Sequence, residues 1–279
     1  MNKVKFGILV ILYNKKINDS ESIRSLININ NKDDVDLYIW DNSKKRLDEQ
    51  SLDDLSNFFP SFEYFHDGKN HSLACIYNIV CDHFFIRNKV DYSIILDHDS
   101  LLNSDHLVTL SNEILLYKNP FLIVPIARNI HTKSIISPRF LDNTSIEKSD
   151  QSNPFIIPGI HSTSNFFAIG SGLTLSKILW DSGIRFDEDL NLYGVDVEFC
   201  IDYANKNEQF LTSKTEILHD VSTNADSRLQ KCKRLINLNR YRCYRTLKHA
   251  KNHSLAHKLF IKTRYFLIIS KLIILAMRS

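Results

Sequence analysis

Glycine is scarce in this chain: seven residues in 279, beside six prolines, two tryptophans and two methionines. The single close glycine pair, Gly170-Ser171-Gly172, lacks the spacing of a dinucleotide fingerprint or a P-loop, so both are excluded. No proline- or glycine-rich linker, internal repeat or low-complexity tract divides the chain. Cysteine is sparse too. Cys75, Cys81, Cys200, Cys232 and Cys243 are odd in number and form no C-x-x-C. A disulfide framework and a thiolate zinc site are therefore unsupported, and reduced, cytosolic thiols are the expectation. No apolar run is long enough to span a bilayer. Tyr265–Met277 is apolar except for Ser270 and Lys271 and falls far below the ~20 residues required. Lys3 and Lys5 ahead of Phe6–Leu12 look like the start of a signal peptide. Tyr13-Asn14-Lys15-Lys16 follows at once without a cleavage site, so the run reads as a buried strand.

Acidic residues are missing from one end. Residues 228–279 hold fourteen Lys/Arg and no Asp or Glu, which leaves 21 basic against 32 acidic residues, a net of −11, in the first 227. An acidic body with a basic end suggests a local anionic partner, either a membrane surface or nucleic acid. The 43% hydrophobic and 24% charged content is ordinary for a soluble globular protein. The length suits one large α/β domain or a domain with an appendage.

Four strand-like runs alternate with helix-compatible stretches in the first half. They are Lys5–Leu12, Val35–Trp40, Phe62–His66 and Asp91–Leu96. Between them lie a helix over Ser20–Ile29, with Ser20 as N-cap, and one over Leu73–Arg87. This alternation predicts βαβ units and a largely parallel sheet. Residues 130–158 read as loop-rich, and Ile156–Leu175 as a strand that turns tightly at its glycines. A helix over Lys177–Ser182 is capped by Gly183, another covers Phe199–Asn205, and an apolar piece ends at Ile217-Leu218-His219.

The fourth strand ends in Asp97-His98-Asp99. Open α/β sheets bind ligands at the carboxyl ends of their strands. Two carboxylates one residue apart there suit a hard divalent cation and a diphosphate. A solvated strand-to-loop corner is the plain alternative.

The order of motifs resembles the family 2 glycosyltransferases, especially their bacterial rhamnosyltransferase-like branch. Leu12-Tyr13-Asn14 and Trp40-Asp41-Asn42-Ser43 are similar to the family's first two strand ends. Asn70-His71-Ser72-Leu73-Ala74 with Tyr77-Asn78 is similar to its Asn-x-Gly-x-Ala…Asn segment, with Ser72 where glycine is usual. Leu96-Asp97-His98-Asp99-Ser100 resembles the branch's Leu-Asp-Gln-Asp-Ser. Gly183–Leu190 and Tyr193–Cys200 resemble the segments leading to the catalytic Asp, and Arg240–Arg245 the start of the C-terminal helices.

The resemblance implies an α/β GT-A nucleotide-diphosphosugar transferase fold over residues 1–227. Its mostly parallel central sheet is flanked by helices, and a basic, amphipathic helical extension covers 228–279. It implies inverting transfer of a sugar to a hydroxyl of a lipid-linked or growing surface polysaccharide. Rhamnose from dTDP-rhamnose is the first donor candidate, with UDP-linked galactose, glucose or N-acetylglucosamine as alternatives. Asp196 is the implied general base. Tyr13, Asn14, Asp41, Asn42, Asn70, Asn78 and Asp97 are implied for the donor nucleotide. Asp99, with Asp97 and His219, is implied for Mg²⁺ or Mn²⁺, and Gly170, Ser171, Gly172 and Glu198 for the acceptor side.

Each residue has a structural alternative. Asp41 also fits an Asx turn before Ser43, Asp187 and Glu188 a capped turn, and Asp196 a helix N-cap. Glu198 also fits a solvated helix face and His219 a satisfied core group. The basic extension with its apolar end suits a helix in the interface of the cytoplasmic inner leaflet, or packing on protein. A nucleic-acid-binding protein would explain that extension but not the ordered acidic motifs, and no nucleic acid is expected. A non-catalytic protein of the same fold is the other rival.

Overall fold

The first apolar runs form strands in the computed structural model, which describes residues 3–46, 49–140, 156–220, 227–249 and 254–277. β1 (Phe6–Leu12), β2 (Val35–Asp41), β3 (Ser61–Phe65) and β4 (Tyr92–Asp97) are linked by α1 (Glu21–Ile27), α2 (Glu49–Phe58) and α3 (Leu73–Asp82). Parallel strands need crossover connections, which these helices supply, and the four pair in parallel in the order β3-β2-β1-β4. β1 is buried along its whole length, as a strand covered on both faces must be. Its Ile8, Val10 and Leu12 join Ile23 and Leu26 of α1 in the main core, each such side chain contributing about 1.5–3 kcal/mol by leaving water.

Helix starts follow their capping residues. Ser20 Oγ accepts the Ile23 amide at 3.3 Å. Ser72 Oγ accepts the Cys75 amide at 3.2 Å, so the serine found in place of a glycine is the N-cap of α3. The helix expected to reach Arg87 is α-helical only to Asp82 and widens into a π-helical turn, His83–Asn88. Within that turn Phe84 and Phe85 are both buried. Phe84 lies on Gly7, where a Cβ would come within 2.5 Å of the ring.

Past β4 the sequence pattern gave no element until residue 156. The structure places β5 (Ser100–Leu102), α4 (His106–Leu116), β6 (Leu122–Asn129), β7 (Ile135–Ser137) and β8 (Arg139–Phe140) there. Much of the expected loop-rich stretch, residues 141–155, lies outside the described residues. The expected strand over 156–175 is broken into β9 (Gly159–Ser162), β10 (Phe166–Phe167) and β11 (Thr174–Ser176). Then come α5 (Lys177–Asp181), α6 (Val195–Ala204) and β12 (Gln209–His219). α6 starts four residues earlier than Phe199, which puts Asp196 inside its first turn rather than at its N-cap.

The sheet continues β4-β11-β6-β12-β5, with β11 antiparallel to both neighbours and β6 parallel to β12. In a flat sheet β12 would lie about 14 Å from β4, at ~4.8 Å per strand. Yet only His98 and Asp99 separate the end of β4 from β5, which pairs with the last residues of β12. Three peptide steps reach roughly 11 Å at most. The sheet therefore curls, and the acidic turn bridges its strand ends.

Two compact units result. One comprises residues 1–188 and 195–220, the other residues 189–194 and 221–279. The second contains α7 (Arg228–His249) and α8 (Leu255–Met277), which pack along each other. Among the described residues no helix is long and apolar enough to cross a membrane.

Candidate active site

Parallel register aligns the strand ends at one edge of the sheet. Leu12 pairs with Asp41, and Ile11 with Asp97. Beyond β1, the Asn14 amide donates to Ser43 Oγ at 2.7 Å, with Asn14 itself at φ +51°, while Tyr13 is exposed. Beyond β2, the Asn42 side chain holds the next loop. Its Nδ2 donates to Asn70 Oδ1 at 2.9 Å and to the His71 carbonyl at 3.0 Å, and its Oδ1 accepts the His71 amide at 2.8 Å.

Two residues expected at the donor also hold loops. Asp41 is buried and makes the Asx turn, accepting the Ser43 amide at 3.0 Å, while its second oxygen accepts the Tyr64 hydroxyl at 2.8 Å. Asn78 pairs both ways with the Phe186 backbone at 2.9 Å, and its Nδ2 also donates to Glu188 Oε1 at 2.9 Å. It anchors α3 to the segment ahead of Asp196. Glu188 is thereby a partner of Asn78.

The acidic turn is gripped from below by α1. The His98 carbonyl accepts from Ser20 Oγ at 2.8 Å. Ser22 Oγ lies against the carbonyls of Asp97 and Ser100, 2.8 Å from the latter, and accepts the Ser100 amide at 3.0 Å. These bonds fix the backbone of the turn and engage neither carboxylate. Ser20 and Ser22 gave no functional signal in the sequence, because the contact spans about 78 residues.

Asp97, Asp99 and His219 offer one ligand atom each within 4.8 Å of one another. The pairing of Ser100 with His219 across β5 and β12 brings the imidazole there. His219 Nδ1 is 2.8 Å from Ser100 Oγ and 3.3 Å from Asp99 Oδ1. Two features suit a cation. Asp99 Oδ1 is buried without a hydrogen-bond partner. Asp97 is pushed up to about 6, first by burial and then by the charge of Asp99, with Asp196 adding to the effect and His219 and His98 opposing it. A bound cation would relieve both. Two carboxylate oxygens and an imidazole nitrogen, completed by water or phosphate, fit Mn²⁺ or Mg²⁺.

Asp196 is tied to this cluster through the turn ahead of β11. Because β11 runs antiparallel to β4, residues 170–172 fall beside the end of β4. The Gly170 amide donates to Asp196 Oδ2 at 3.2 Å, and Ser171 Oγ accepts the Asp97 amide at 3.0 Å. Ser171 Oγ is also 2.6 Å from Ser100 Oγ, which continues the chain of hydrogen bonds to His219. Burial raises the Asp196 carboxyl, opposed by the amides of Val197 and Gly170. The Tyr77 hydroxyl is held well above its usual range by burial and then by Asp97 and Asp196. A Cβ on Gly170 would lie 3.2 Å from that hydroxyl. Tyr77 belongs to the Tyr77-Asn78 motif, but its residue type alone gives it no role.

The residues expected on the acceptor side also have structural partners. Ser171 serves the Asp97–His219 network. Gly172, at φ +90°, donates to the Ile95 carbonyl at 2.6 Å and leaves no room for a Cβ, which would lie 2.5 Å from Pro125. Glu198 is fully buried, so it forms no solvated helix face. Depressions of about 470 and 600 Å³ lie around the start of β12, at the far end of that strand from His219. None of the residues lining them belongs to the acidic cluster.

No protein-family model matches the chain, and no curated protein sequence matches it significantly. Solved structures do. Residues 1–349 of S. aureus TarS in complex with UDP-GlcNAc superpose with a TM-score of 0.60 at 14% identity, over 94% of this chain and 72% of that one. The same TarS segment alone gives 0.59 at 14% identity over 94% and 71%, and its complex with UDP gives 0.55 at 13% over 94% and 71%. The likeness is one of fold: this chain has a mixed α/β, GT-A-like fold.

Proposed function

We propose that the protein is a metal-dependent, inverting glycosyltransferase that uses a nucleotide-diphosphosugar donor. The observation that carries this reading is the hydrogen-bonded link from Asp196 through Gly170-Ser171 to the Asp97, Asp99 and His219 cluster. Such a link holds a base and a metal site at one strand edge, where this fold class binds ligands. Asp99, Asp97 and His219 would hold Mg²⁺ or Mn²⁺. When bound, that ion would neutralise charge on the departing diphosphate.

In the proposed step an acceptor hydroxyl oxygen bonds to the anomeric carbon while the bond from that carbon to the diphosphate oxygen breaks on the opposite face. The hydroxyl proton passes to the Asp196 carboxylate. Each oxygen of that carboxylate already accepts one amide, from Val197 and from Gly170, and keeps lone-pair capacity for the proton. Its raised pKa makes it a better base than an exposed aspartate.

For the donor, UDP-GlcNAc is the sugar nucleotide bound in the TarS complex, and dTDP-rhamnose follows from the rhamnosyltransferase-like motifs. A lipid-linked or growing surface-polysaccharide acceptor suits an enzyme held at the cytoplasmic face of an anionic membrane. Support for that location comes from α8. Leu255, Leu259, Phe266 and Ile273 recur at helical spacing and are exposed, and Lys258, Lys262, Arg264 and Lys271 share the same helix. An exposed apolar stripe on a wholly basic segment matches an anionic lipid interface.

The test is incubation of the full chain with UDP-GlcNAc or dTDP-rhamnose and Mn²⁺, with and without a membrane lipid extract, following released nucleotide by ³¹P NMR. Release of UDP or dTDP that depends on Asp196 supports the reading. Release from neither donor under any of these conditions removes it.

A further inference from the structure

Another cavity belongs wholly to the unit made of residues 189–194 and the C-terminal helices. Its volume is about 300 Å³, the small end of the range for ligand pockets. Tyr193, Tyr241 and Tyr244 wall it, with Arg240, Asn237 and Asp189. Positions 237, 241 and 244 follow the four- and three-residue spacing that stacks side chains on one side of α7, and Arg240 lies beside them. Gly194 shapes the wall. It takes φ +83°, and a Cβ there would sit 2.1 Å from the Tyr241 ring, so only glycine lets the chain lie against that ring.

The lining chemistry selects a ligand class. Arg offers only donors, Asp only acceptors, Asn both, and a tyrosine hydroxyl both. One cation and one anion cancel in formal charge, which disfavours a phosphate or a carboxylate ligand. Three aromatic side chains in the wall disfavour a purely hydrophilic one. A sugar ring meets both conditions, with an apolar C–H face and hydroxyls that donate and accept.

We propose that this cavity is a saccharide-binding site of the C-terminal unit.

The test is saturation-transfer NMR on the full chain, without donor, using methyl glycosides of rhamnose, galactose, glucose and N-acetylglucosamine as probes. At least one glycoside should show ring-proton saturation that falls to background in Asn237→Ala and in Tyr244→Ala. Asn237 is exposed, so its substitution keeps the test valid if Tyr244→Ala unfolds. No saturation with any glycoside, or saturation unchanged in both variants, overturns the site. Thermal shift of the wild type with UDP and dTDP, run in parallel, separates the two readings. Nucleotide binding with no glycoside binding removes the cavity assignment alone, whereas variant-sensitive glycoside binding with no nucleotide binding keeps the saccharide site and removes the transferase reading.

Discussion

Gly170 holds Asp196 through its amide, 3.2 Å from carboxylate oxygen Oδ2. The next residue, Ser171, accepts the amide of Asp97. One dipeptide therefore couples the proposed base to the proposed metal ligands, and it can do so because an antiparallel strand is inserted beside β4.

Ser171→Ala leaves the Asp97 amide and Ser100 Oγ each short of a partner in a buried place. An unsatisfied buried group costs about 1–3 kcal/mol. The expected outcome is a loss of that size in urea denaturation, together with weaker Mn²⁺ binding by electron paramagnetic resonance. Unchanged Mn²⁺ affinity would show that the network does not position the ligands.

Asp97 gives a pH dependence with a definite sign. Its folded-state value near 6 lies above the ~3.9 of an unfolded chain, so the folded state binds the extra proton. The metal-free protein should therefore lose stability as pH rises from about 4 to about 6 through this group. Asp97→Asn should remove that slope and stabilise the metal-free protein at pH 7 by roughly 1–2 kcal/mol, a figure reduced for coupling to Asp99. Thermal melts in chelator across this range check it. Mn²⁺ should reverse the trend, since metal ligands must be deprotonated.

Asn78→Ala should destabilise by about 2–4 kcal/mol, because three hydrogen bonds to Phe186 and Glu188 are lost from a buried site. If Asn78 instead served only the donor, melting would be unchanged and nucleotide affinity alone would fall.

Phe266→Glu with Leu259→Glu places two charges on the exposed stripe of α8. The expected outcome is loss of co-sedimentation with phosphatidylglycerol vesicles, while the wild type binds these and ignores pure phosphatidylcholine. Binding to a single-stranded oligonucleotide in place of vesicles would assign the basic segment to nucleic acid, and wild-type binding to neither would leave the membrane reading without support.

The strand ends were legible because parallel βαβ units write themselves as short apolar runs separated by helical ones. Lys5–Leu12 and Asp91–Leu96 came within a residue of their strands for that reason. β5 and β6 were missed. β5 is only three residues long and is created by its partner β12, not by its own pattern. β6 contains Pro125 and ends in polar residues. At the site, Asp97, Asp99 and His219 could be named from residue type and position. Ser22, Ser100 and Tyr77 could not, since a serine or tyrosine in an ordinary helix or strand carries no mark of a partner many residues away. Asp41 and Asn78, named from a motif match, also hold loops through hydrogen bonds that the motif did not reveal.

Isothermal titration of UDP and dTDP, with Mn²⁺ and with chelator, into wild type and Asp99→Asn tests the central claim most directly. The account predicts that at least one nucleotide binds only with Mn²⁺ and that Asp99→Asn weakens it by about tenfold or more, or about 1.4 kcal/mol. Binding of neither nucleotide, or binding equally tight in chelator and in Asp99→Asn, would contradict it.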